Sequence, residues 1–263
     1  MTNIFDTHAH YSSRQFDADR VALLKALPEG GVVGVLECAT HSGDAVRVLE
    51  LAHSAPYFHA AIGIHPESLI EEDAATVAVY HGDWRAELAA MRPLFEDKSV
   101  AAVGEIGLDH HWTVPRQEQY DLFEAQLQLA KELDLPVSVH DREAHAEMYE
   151  LLRKYKPRGA LHCYSGSADD AAWLVEQGMY LGFGGAVTYK GAKRAAKVLA
   201  AIPHERALLE TDCPYMSPEP VRGTRNDSRN IAHVAAYIGT IWDMDAQAVL
   251  DQTVQNARAC FGV

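Results

Sequence analysis

The 263-residue sequence predicts an α/β protein with the (β/α)8 TIM-barrel fold, built as a single domain over residues 1–263. Eight apolar runs rich in β-branched residues recur along the chain, and helical periodicity fills the segments between them. Strands that are apolar on both faces are typical of parallel sheets covered by helices, and single barrels of this kind have about 250 residues. An open, doubly wound parallel sheet is the alternative that the same pattern allows.

The predicted strands are short apolar runs, and several of them end in a polar residue. They comprise Ile4–His8, Val32–Thr40, Phe58–His65, Val100–Asp109, Pro136–His140, Ala160–Tyr164, Tyr180–Val187 and Ala207–Asp212. Eight such strands alternating with helices favour a closed barrel over an open sheet.

Four of the intervening helices carry clear local signals. The clearest begins at Pro115, because proline is favoured in the first turn of a helix. Its apolar stripe comprises Leu122, Leu129 and Leu133. A second helix begins at the cap candidate Ser42 and stops before Pro56, and a third ends at Gly178. A closing helix is predicted over residues 245–261.

Composition narrows the class of protein. Hydrophobic residues make up 48% of the chain, which is enough for a full globular core. No apolar run reaches the roughly 18 residues of a membrane-spanning helix, and the first residues lack a secretory pattern. The four cysteines are widely scattered and form no C-x-x-C pair, which is typical of reduced thiols in a cytoplasmic protein.

The charge balance limits the possible partners. The chain has 23 basic and 37 acidic residues, a formal charge of −14. Proteins that coat duplex DNA without specificity usually carry the opposite sign, so the charge argues against this class. A small site that handles phosphate through divalent cations stays compatible with this charge, because bound cations invert the local field. No membrane contact and no stable protein partner are indicated.

Polar residues that can bind metal occupy the carboxyl ends of the predicted strands. They are His8, His10, His65, Glu105, Asp109, His140, His162, Glu210 and Asp212. In a (β/α)8 barrel these ends surround one mouth, where enzymes of this fold carry out their chemistry. His8 and His10 are two residues apart, so on a strand both side chains point to the same side. Asp6 precedes His8 by the same spacing and could either orient a ligand or make a plain hydrogen bond.

Imidazole and carboxylate groups together form a ligand set for Zn, Mn, Fe or Ni, and carboxylates also serve Mg. Six of these residues form the candidate ligand set: His8, His10, Glu105, His140, His162 and Asp212. Six ligands exceed what one catalytic ion with an open position accepts, and they suit two ions about 3.5–4 Å apart. Glu105, which has two oxygens, is the natural bridge between them. One ion is then assigned to His8, His10 and Asp212, and the other to His140 and His162.

The other histidines fall in predicted helices, loops or strand starts and are interpreted as surface or hydrogen-bonded groups. They are His41, His53, His59, His81, His145, His204 and His233. His110 and His111 follow Asp109 in a loop over the predicted mouth, where they could contact substrate.

Seven motifs in this order and spacing resemble the TatD family of metal-dependent deoxyribonucleases, within the amidohydrolase superfamily. They are "DTHAH", "GIHP", "VGEIGLD", "PVSVHDREA", "LHCYSG", "YLGFGGAVT" and "LLETDCPY". The resemblance extends from Asp6 to about Arg225 and implies a TIM barrel with a two-metal centre. The sequence departs from the family at Asp109-His110-His111, where relatives often read Asp-Tyr-Tyr, and at "RNDS", Arg225 to Ser228, which lacks the usual proline.

Position by position, the resemblance implies the same ligands. The first metal would be held by His8, His10, Glu105 and Asp212, and the second by Glu105, His140 and His162. His65 matches a histidine on the substrate side. Glu210 matches a carboxylate at the mouth that could contact substrate or assist a further metal.

The predicted activity is cleavage of DNA ends or single-stranded DNA with two divalent ions (Mg, Mn or Zn). Asp212, beside the first metal, is the candidate general base for the attacking water. His65 would steady a phosphate oxygen, whereas Arg116 and Arg225 are interpreted as solvated side chains. Two alternatives stay open: hydrolysis of a small amide, lactone or phosphoester at the same centre, and a barrel that binds metal without turnover.

Overall fold

The computed structural model describes residues 1–263. Its strands are β1 (Ile4–Ala9), β2 (Val32–Cys38), β3 (Phe58–Ile62), β4 (Val100–Asp109), β5 (Val137–Arg142), β6 (Gly159–Leu161), β7 (Tyr180–Phe183) and β8 (Ala207–Leu209). Its α-helices are α1 (Arg20–Ala26), α2 (Ser42–Ser54), α3 (Ala75–Ala78), α4 (Trp84–Met91), α5 (Arg116–Leu133), α6 (His145–Tyr155), α7 (Ala168–Glu176), α8 (Lys193–Ala201), α9 (Ile231–Trp242) and α10 (Ala246–Phe261).

The eight strands belong to one sheet in the order β1 to β8, as in a (β/α)8 barrel. β1 also lies beside the segment that follows β8. The backbone N–H of Asp212 donates to the carbonyl of His8 at 2.9 Å, and a parallel bridge joins Ala9 to Cys213. The predicted fold class is therefore confirmed, and the open-sheet alternative is wrong.

Several strands end earlier than the sequence predicted. β3 ends at Ile62, β6 at Leu161 and β8 at Leu209. Apolar periodicity continues into the loops because their first residues are buried as well, whereas ladder hydrogen bonds define the strand end. Consequently His65, His162 and Asp212 lie in the segments that follow strands, and only some of the candidate ligands lie in strands proper.

The residues divide into two compact units, Met1–Glu37 with His162–Val263, and Cys38–Leu161. In the first unit the closing helix α10 packs against β1 and β8, and its buried face includes Val249, Val254 and Phe261. The predicted helix over residues 245–261 is confirmed.

In the second unit α5 packs against β4, all but the first of whose ten residues are buried. Leu122 and Leu129 are buried as predicted, whereas Leu133 at the end of the helix is only half-buried. The same face also carries two buried glutamines, Gln119 and Gln126. The apolar stripe of α5 is therefore interrupted by polar side chains.

Each of these glutamines binds the backbone of a residue at or just after a strand end. The side chain of Gln126 accepts from the N–H of Ile64 at 2.7 Å and donates to its carbonyl at 2.9 Å. Gln119 does the same for Asp109, at 2.7 and 2.8 Å. The buried backbone N–H and C=O groups of Ile64 and Asp109 thus find their hydrogen-bond partners in side chains of α5.

Replacing Gln119 by Met is expected to lower the free energy of unfolding by at least about 2 kcal/mol, because both buried backbone groups of Asp109 lose a partner. Gln117→Met on the exposed face of α5 is the matched control, with an expected change within about 0.5 kcal/mol. Urea unfolding of the two variants measures the difference. Equal stabilities would show that the Gln119 bonds contribute nothing.

Candidate metal centre

Three of the predicted ligands meet at the end of β1, in the first unit. His8 Nε2 lies 3.2 Å from His10 Nε2. Asp212 Oδ1 lies 3.4 Å from His10 Nε2 and 4.0 Å from His8 Nε2. A set of donor atoms from these residues lies within 4.8 Å of one another. The alternation of side chains along a strand has placed both imidazoles on one side, as the sequence predicted.

Asp212 lies after the end of β8, so the conformation of its own backbone sets the direction of its side chain. It has a φ of 55°, a left-handed conformation that Asp and Asn tolerate better than most residues. Burial would raise the pKa of its carboxyl, but the hydrogen bond with His10 and the nearby histidines hold that pKa below its usual value. The carboxylate is therefore ionised at neutral pH, as a metal ligand or general base requires.

His162 and Glu210 complete this group, which we call the His8 cluster (His8, His10, His162, Glu210 and Asp212). The His162 ring stacks on that of His8 with 3.8 Å between centroids, and its Nδ1 lies 3.8 Å from Glu210 Oε1. Glu210 is buried and accepts the backbone N–H of Cys163 at 2.5 Å. Burial raises the pKa of Glu210 to about 8, so its carboxyl holds a proton at neutral pH in the absence of metal.

Asp6 is a buried acceptor beneath this cluster. Its carboxylate accepts from Thr211 N at 2.9 Å, from Thr211 Oγ1 at 2.6 Å and from Ser228 Oγ at 2.7 Å. It also accepts the backbone N–H of His8 at 3.3 Å. Of the two roles that the sequence left open, these contacts support the plain hydrogen bond, which ties β1 to the segment after β8.

The second group lies in the other unit, and we call it the His140 cluster (His65, Glu105, Asp109 and His140). His140 Nδ1 lies 3.0 Å from Glu105 Oε1, and its Nε2 lies 2.9 Å from Asp109 Oδ2. Burial alone would lower the pKa of His140, but the hydrogen bonds with both carboxylates raise it to about 10. Burial would likewise raise the pKa of Asp109, yet its bond with His140 lowers it to about 2.

Asp109 therefore has a role that the sequence did not assign to it. One oxygen accepts from His140, while the other accepts the backbone N–H groups of His111 at 2.9 Å and Trp112 at 3.4 Å. Because the pKa of His140 is raised, both ring nitrogens donate in the absence of metal, Nε2–H to Asp109 and Nδ1–H to Glu105. A metal at Nδ1 would replace that proton, while Asp109 keeps the Nε2–H. A carboxylate behind a ligating histidine is a common means of fixing its ring and tautomer.

His65 follows β3 and faces Glu105, with 3.5 Å between its Nε2 and Glu105 Oε1. Its Nδ1 accepts the backbone N–H of Glu67 at 3.2 Å, which assigns the proton of a neutral ring to Nε2. A nitrogen that carries a proton cannot bind a metal, but it can donate a hydrogen bond. In this tautomer His65 is a donor directed at Glu105, and His65, Glu105 and His140 also bring potential ligand atoms within 4.8 Å of one another.

The residues present fit divalent metal ions. His8, His10 and Asp212 supply two imidazoles and an ionised carboxylate, the three-ligand pattern of catalytic sites that keep an open position. Glu105 and His140 supply the same donor types in the second unit. Nitrogen and oxygen donors of this kind suit Zn or Mn, and the carboxylates also suit Mg.

Three of the remaining histidines make hydrogen bonds, as interpreted from the sequence. His41 caps α2 by accepting the Asp44 N–H at 3.2 Å, and His53 pairs with Asp97 at 2.8 Å. His145 binds Asp141 at 2.6 Å. His111, which from the sequence could contact substrate, lies 3.0 Å from Glu143.

Both arginines set aside in the sequence make surface ion pairs. Arg225 forms two hydrogen bonds with Asp19, at 2.8 and 2.6 Å, and Arg116 lies 4.0 Å from Glu147. Their guanidinium groups are thus engaged with carboxylates.

Comparisons with known proteins cover the whole chain. The family model described as TatD related DNase matches residues 5–262. An uncharacterised metal-dependent hydrolase of Bacillus subtilis, YabD, is 34% identical over 99% of each chain. The 3′-5′ ssDNA/RNA exonuclease TatD of Erwinia tasmaniensis is 31% identical over 99% of this chain and 100% of its own. The crystal structure of YjjV, a TatD homolog from Escherichia coli K12, has a TM-score of 0.88 and 31% identity, covering 99% and 98% of the two chains.

Proposed function

The chain belongs to the TatD family of metal-dependent hydrolases, and on this premise we propose that it is a deoxyribonuclease. Its substrate would be DNA ends or single-stranded DNA, and the bond cleaved a phosphodiester. The name of the Erwinia relative, a single-stranded DNA and RNA exonuclease, supports this substrate class. The observation that carries the proposal is the convergence of His8, His10 and Asp212 donor atoms within 4.8 Å.

We assign two divalent ions to the centre, of Mg, Mn or Zn. The first would be held by His8, His10, Glu105 and Asp212, and the second by Glu105, His140 and His162. The (β/α)8 fold supports this assignment, because the carboxyl ends of its strands line one face. When bound, the ions would lower the pKa of water and neutralise charge on the phosphoryl oxygens.

Side chains of the protein would accept the proton of the attacking water and hold the phosphate of the substrate. Asp212, which stays ionised beside His10, would accept a proton from the attacking water. The Nε2–H of His65 would donate to a phosphate oxygen, and Glu210 would also contact the substrate. Asp109 would hold the ring of His140 in place through its Nε2–H.

Hydrolysis of a small amide, lactone or phosphoester is the second candidate. The charge of −14 favours it, since long polyanions are repelled by an acidic surface. Turnover measured on single-stranded DNA, on RNA and on a panel of small esters and amides distinguishes the nuclease from the small-molecule hydrolase. Each substrate is tested with Mg, Mn and Zn in turn.

Residues 1–263 are proposed to act as one hydrolase domain in the cytoplasm. None of the four cysteines forms a disulfide, which suits a reducing compartment. No helix of the structure combines the length and apolar character that crossing a membrane requires.

Treatment with a chelator is expected to abolish cleavage of single-stranded DNA, and addition of Mn, Mg or Zn to restore it. The physical reason is that neither water activation nor charge neutralisation has another source in the ligand set. Turnover is measured before chelation, after removal of the chelator, and after each metal is added back. Cleavage that persists in the chelated protein would contradict the proposed chemistry.

A further inference from the structure

A cavity of about 420 Å³ adjoins the His8 cluster in the first unit. It lies between the segment after β6, the end of β7 and the start of α8. Cys163, whose backbone N–H donates to Glu210, lines the cavity, so one residue separates the cavity from the His8 cluster. Its volume falls within the roughly 300–1,000 Å³ of ordinary small-molecule sites.

The walls of this cavity are small or apolar. Phe183 and Val187 are buried and line it together with Ala195, while Gly182 and Gly184 contribute backbone. A Cβ atom at Gly182 would lie 2.1 Å from Glu210 Oε2, so only glycine lets the two approach. A flat apolar group with polar edges fits such a site, because the walls offer apolar area and the backbone offers hydrogen bonds.

A strongly basic segment borders the cavity. Its four cations, Lys190, Lys193, Arg194 and Lys197, are all exposed. Between Glu176 and Glu205 the sequence has no acidic residue, although the whole chain carries a charge of −14. Positive charge is thus concentrated on one short stretch of an acidic protein.

The charged side chains next to the basic segment include both cations and carboxylates. Arg222 lies over the Tyr189 ring at 4.1 Å and adds another cation, with Glu219 3.9 Å away. Asp169 and Asp170 lie in the first turn of α7, where the Asp170 carboxylate accepts from Ser167 Oγ and the Asp170 N–H donates to the same hydroxyl. Arg194 lines the cavity itself and donates to the Ser165 carbonyl at 3.2 Å.

We propose that the cavity and the basic segment together form a subsite for single-stranded nucleic acid. One base enters the cavity, and the phosphates of the adjoining backbone lie along Lys193, Arg194 and Lys197. A paired base cannot enter a pocket of this kind without leaving its stack, so the subsite selects single strands. The subsite rests on the proposed nuclease function, for which it supplies the substrate contacts outside the metal centre.

Filling the cavity tests the base-binding part. Ala195→Phe places a ring in the cavity, whereas Ala196→Phe places the same ring on the next residue of α8, which does not line it. Both alanines are half-buried, which makes them a matched pair. We expect Ala195→Phe to weaken binding of fluorescein-labelled dT10 about tenfold, by anisotropy in the presence of a chelator, and Ala196→Phe to leave it unchanged. Equal affinities of the two variants would overturn this part.

The salt dependence of binding tests the phosphate contacts. Removing two phosphate-binding lysines, as in Lys193→Ala/Lys197→Ala, is expected to reduce the slope of log Kd against log salt by about 1.4 for a single strand. Lys25→Ala/Lys98→Ala removes the same charge from exposed positions that precede β2 and β4. An equal change of slope in both double variants would show that the contact is only a general effect of net charge, and would overturn the proposal.

The same experiments separate the subsite from the nuclease function. If metal-loaded protein cleaves single-stranded DNA while dT10 affinity is the same in all four variants, the subsite is wrong and the nuclease function stands. If dT10 binding changes as expected but no phosphodiester is cleaved with any metal, the subsite stands and the nuclease function is wrong. A blunt ten-base-pair duplex that binds as tightly as dT10 would also overturn the subsite.

Discussion

Asp212→Asn is expected to lower kcat on single-stranded DNA by about 10²–10⁴-fold, the range that positioned acid–base groups contribute. The amide has nearly the same shape as the carboxylate but can neither accept the proton of water nor supply negative charge to a metal. Folding is expected to survive, because Asn tolerates the left-handed backbone at a φ of 55°. Steady-state turnover at saturating metal measures the loss, and thermal unfolding checks the fold.

Asp243→Asn is the matched control for this variant. Asp243 also has a left-handed backbone, with a φ of 53°, but it caps the end of α9 and is exposed. The same chemical change there is expected to leave kcat unchanged. Full activity in metal-loaded Asp212→Asn would rule out its role as general base.

Glu105→Gln is expected to reduce the bound metal from the two ions per chain that we propose to one or none, and to lower kcat by about 10³-fold. Glu105 lies 3.0 Å from His140 Nδ1 and 3.5 Å from His65 Nε2, where it is assigned as the bridge between the ions. A neutral amide cannot supply negative charge to both ions. Elemental analysis of the purified, dialysed protein gives the metal content independently of activity.

Glu87→Gln is the matched control, because it makes the same chemical change at another buried glutamate. Glu87 is buried and accepts the backbone N–H of Ser42 at 2.9 Å, a bond that Gln can keep. Its metal content and kcat are expected to match those of the unaltered protein. Two ions per chain in Glu105→Gln would contradict the bridging assignment.

The proximity of the candidate ligands is the part of the site that sequence reasoning predicted best. His8 and His10 were placed on one side by the two-residue period of a strand, and the structure brings both close to Asp212. That contact depends on β1 lying beside β8, which the prediction of a closed barrel implied before any distance was known. Local periodicity and fold topology were together sufficient for these three side chains.

Residues that act by binding the backbone or another side chain were missed. Helical periodicity predicted α5, but it could not show that Gln119 and Gln126 would be buried against particular peptide groups. Nor could it distinguish the carboxylate of Asp109, which holds His140, from one that binds metal directly. Such partnerships depend on the distance between side chains after packing, and this distance leaves no periodic signal.

The cavity near Glu210 was missed for a related reason. Gly182 and Gly184 fall within the predicted strand Tyr180–Val187, and their importance depends on the carboxylate of Glu210, which approaches from the segment after β8. The basic segment was visible in the sequence as a run without acidic residues, but only its position beside the cavity gives it a ligand to bind.

The two oxygens of Asp109 also divide the loop after β4 into a constrained part and a variable part. Residues as far as Trp112 are tied to the same carboxylate that holds His140, so changes there would be transmitted to the ring. The hydrogen bonds of the Asp109 carboxylate to the loop backbone end at Trp112, before Thr113 and the start of α5 at Arg116. Loop grafting intended to alter substrate range would therefore best be centred on Thr113 and leave Val114 in place, because the Val114 carbonyl accepts from Gln119 at 3.2 Å and Gln119 also binds the backbone of Asp109.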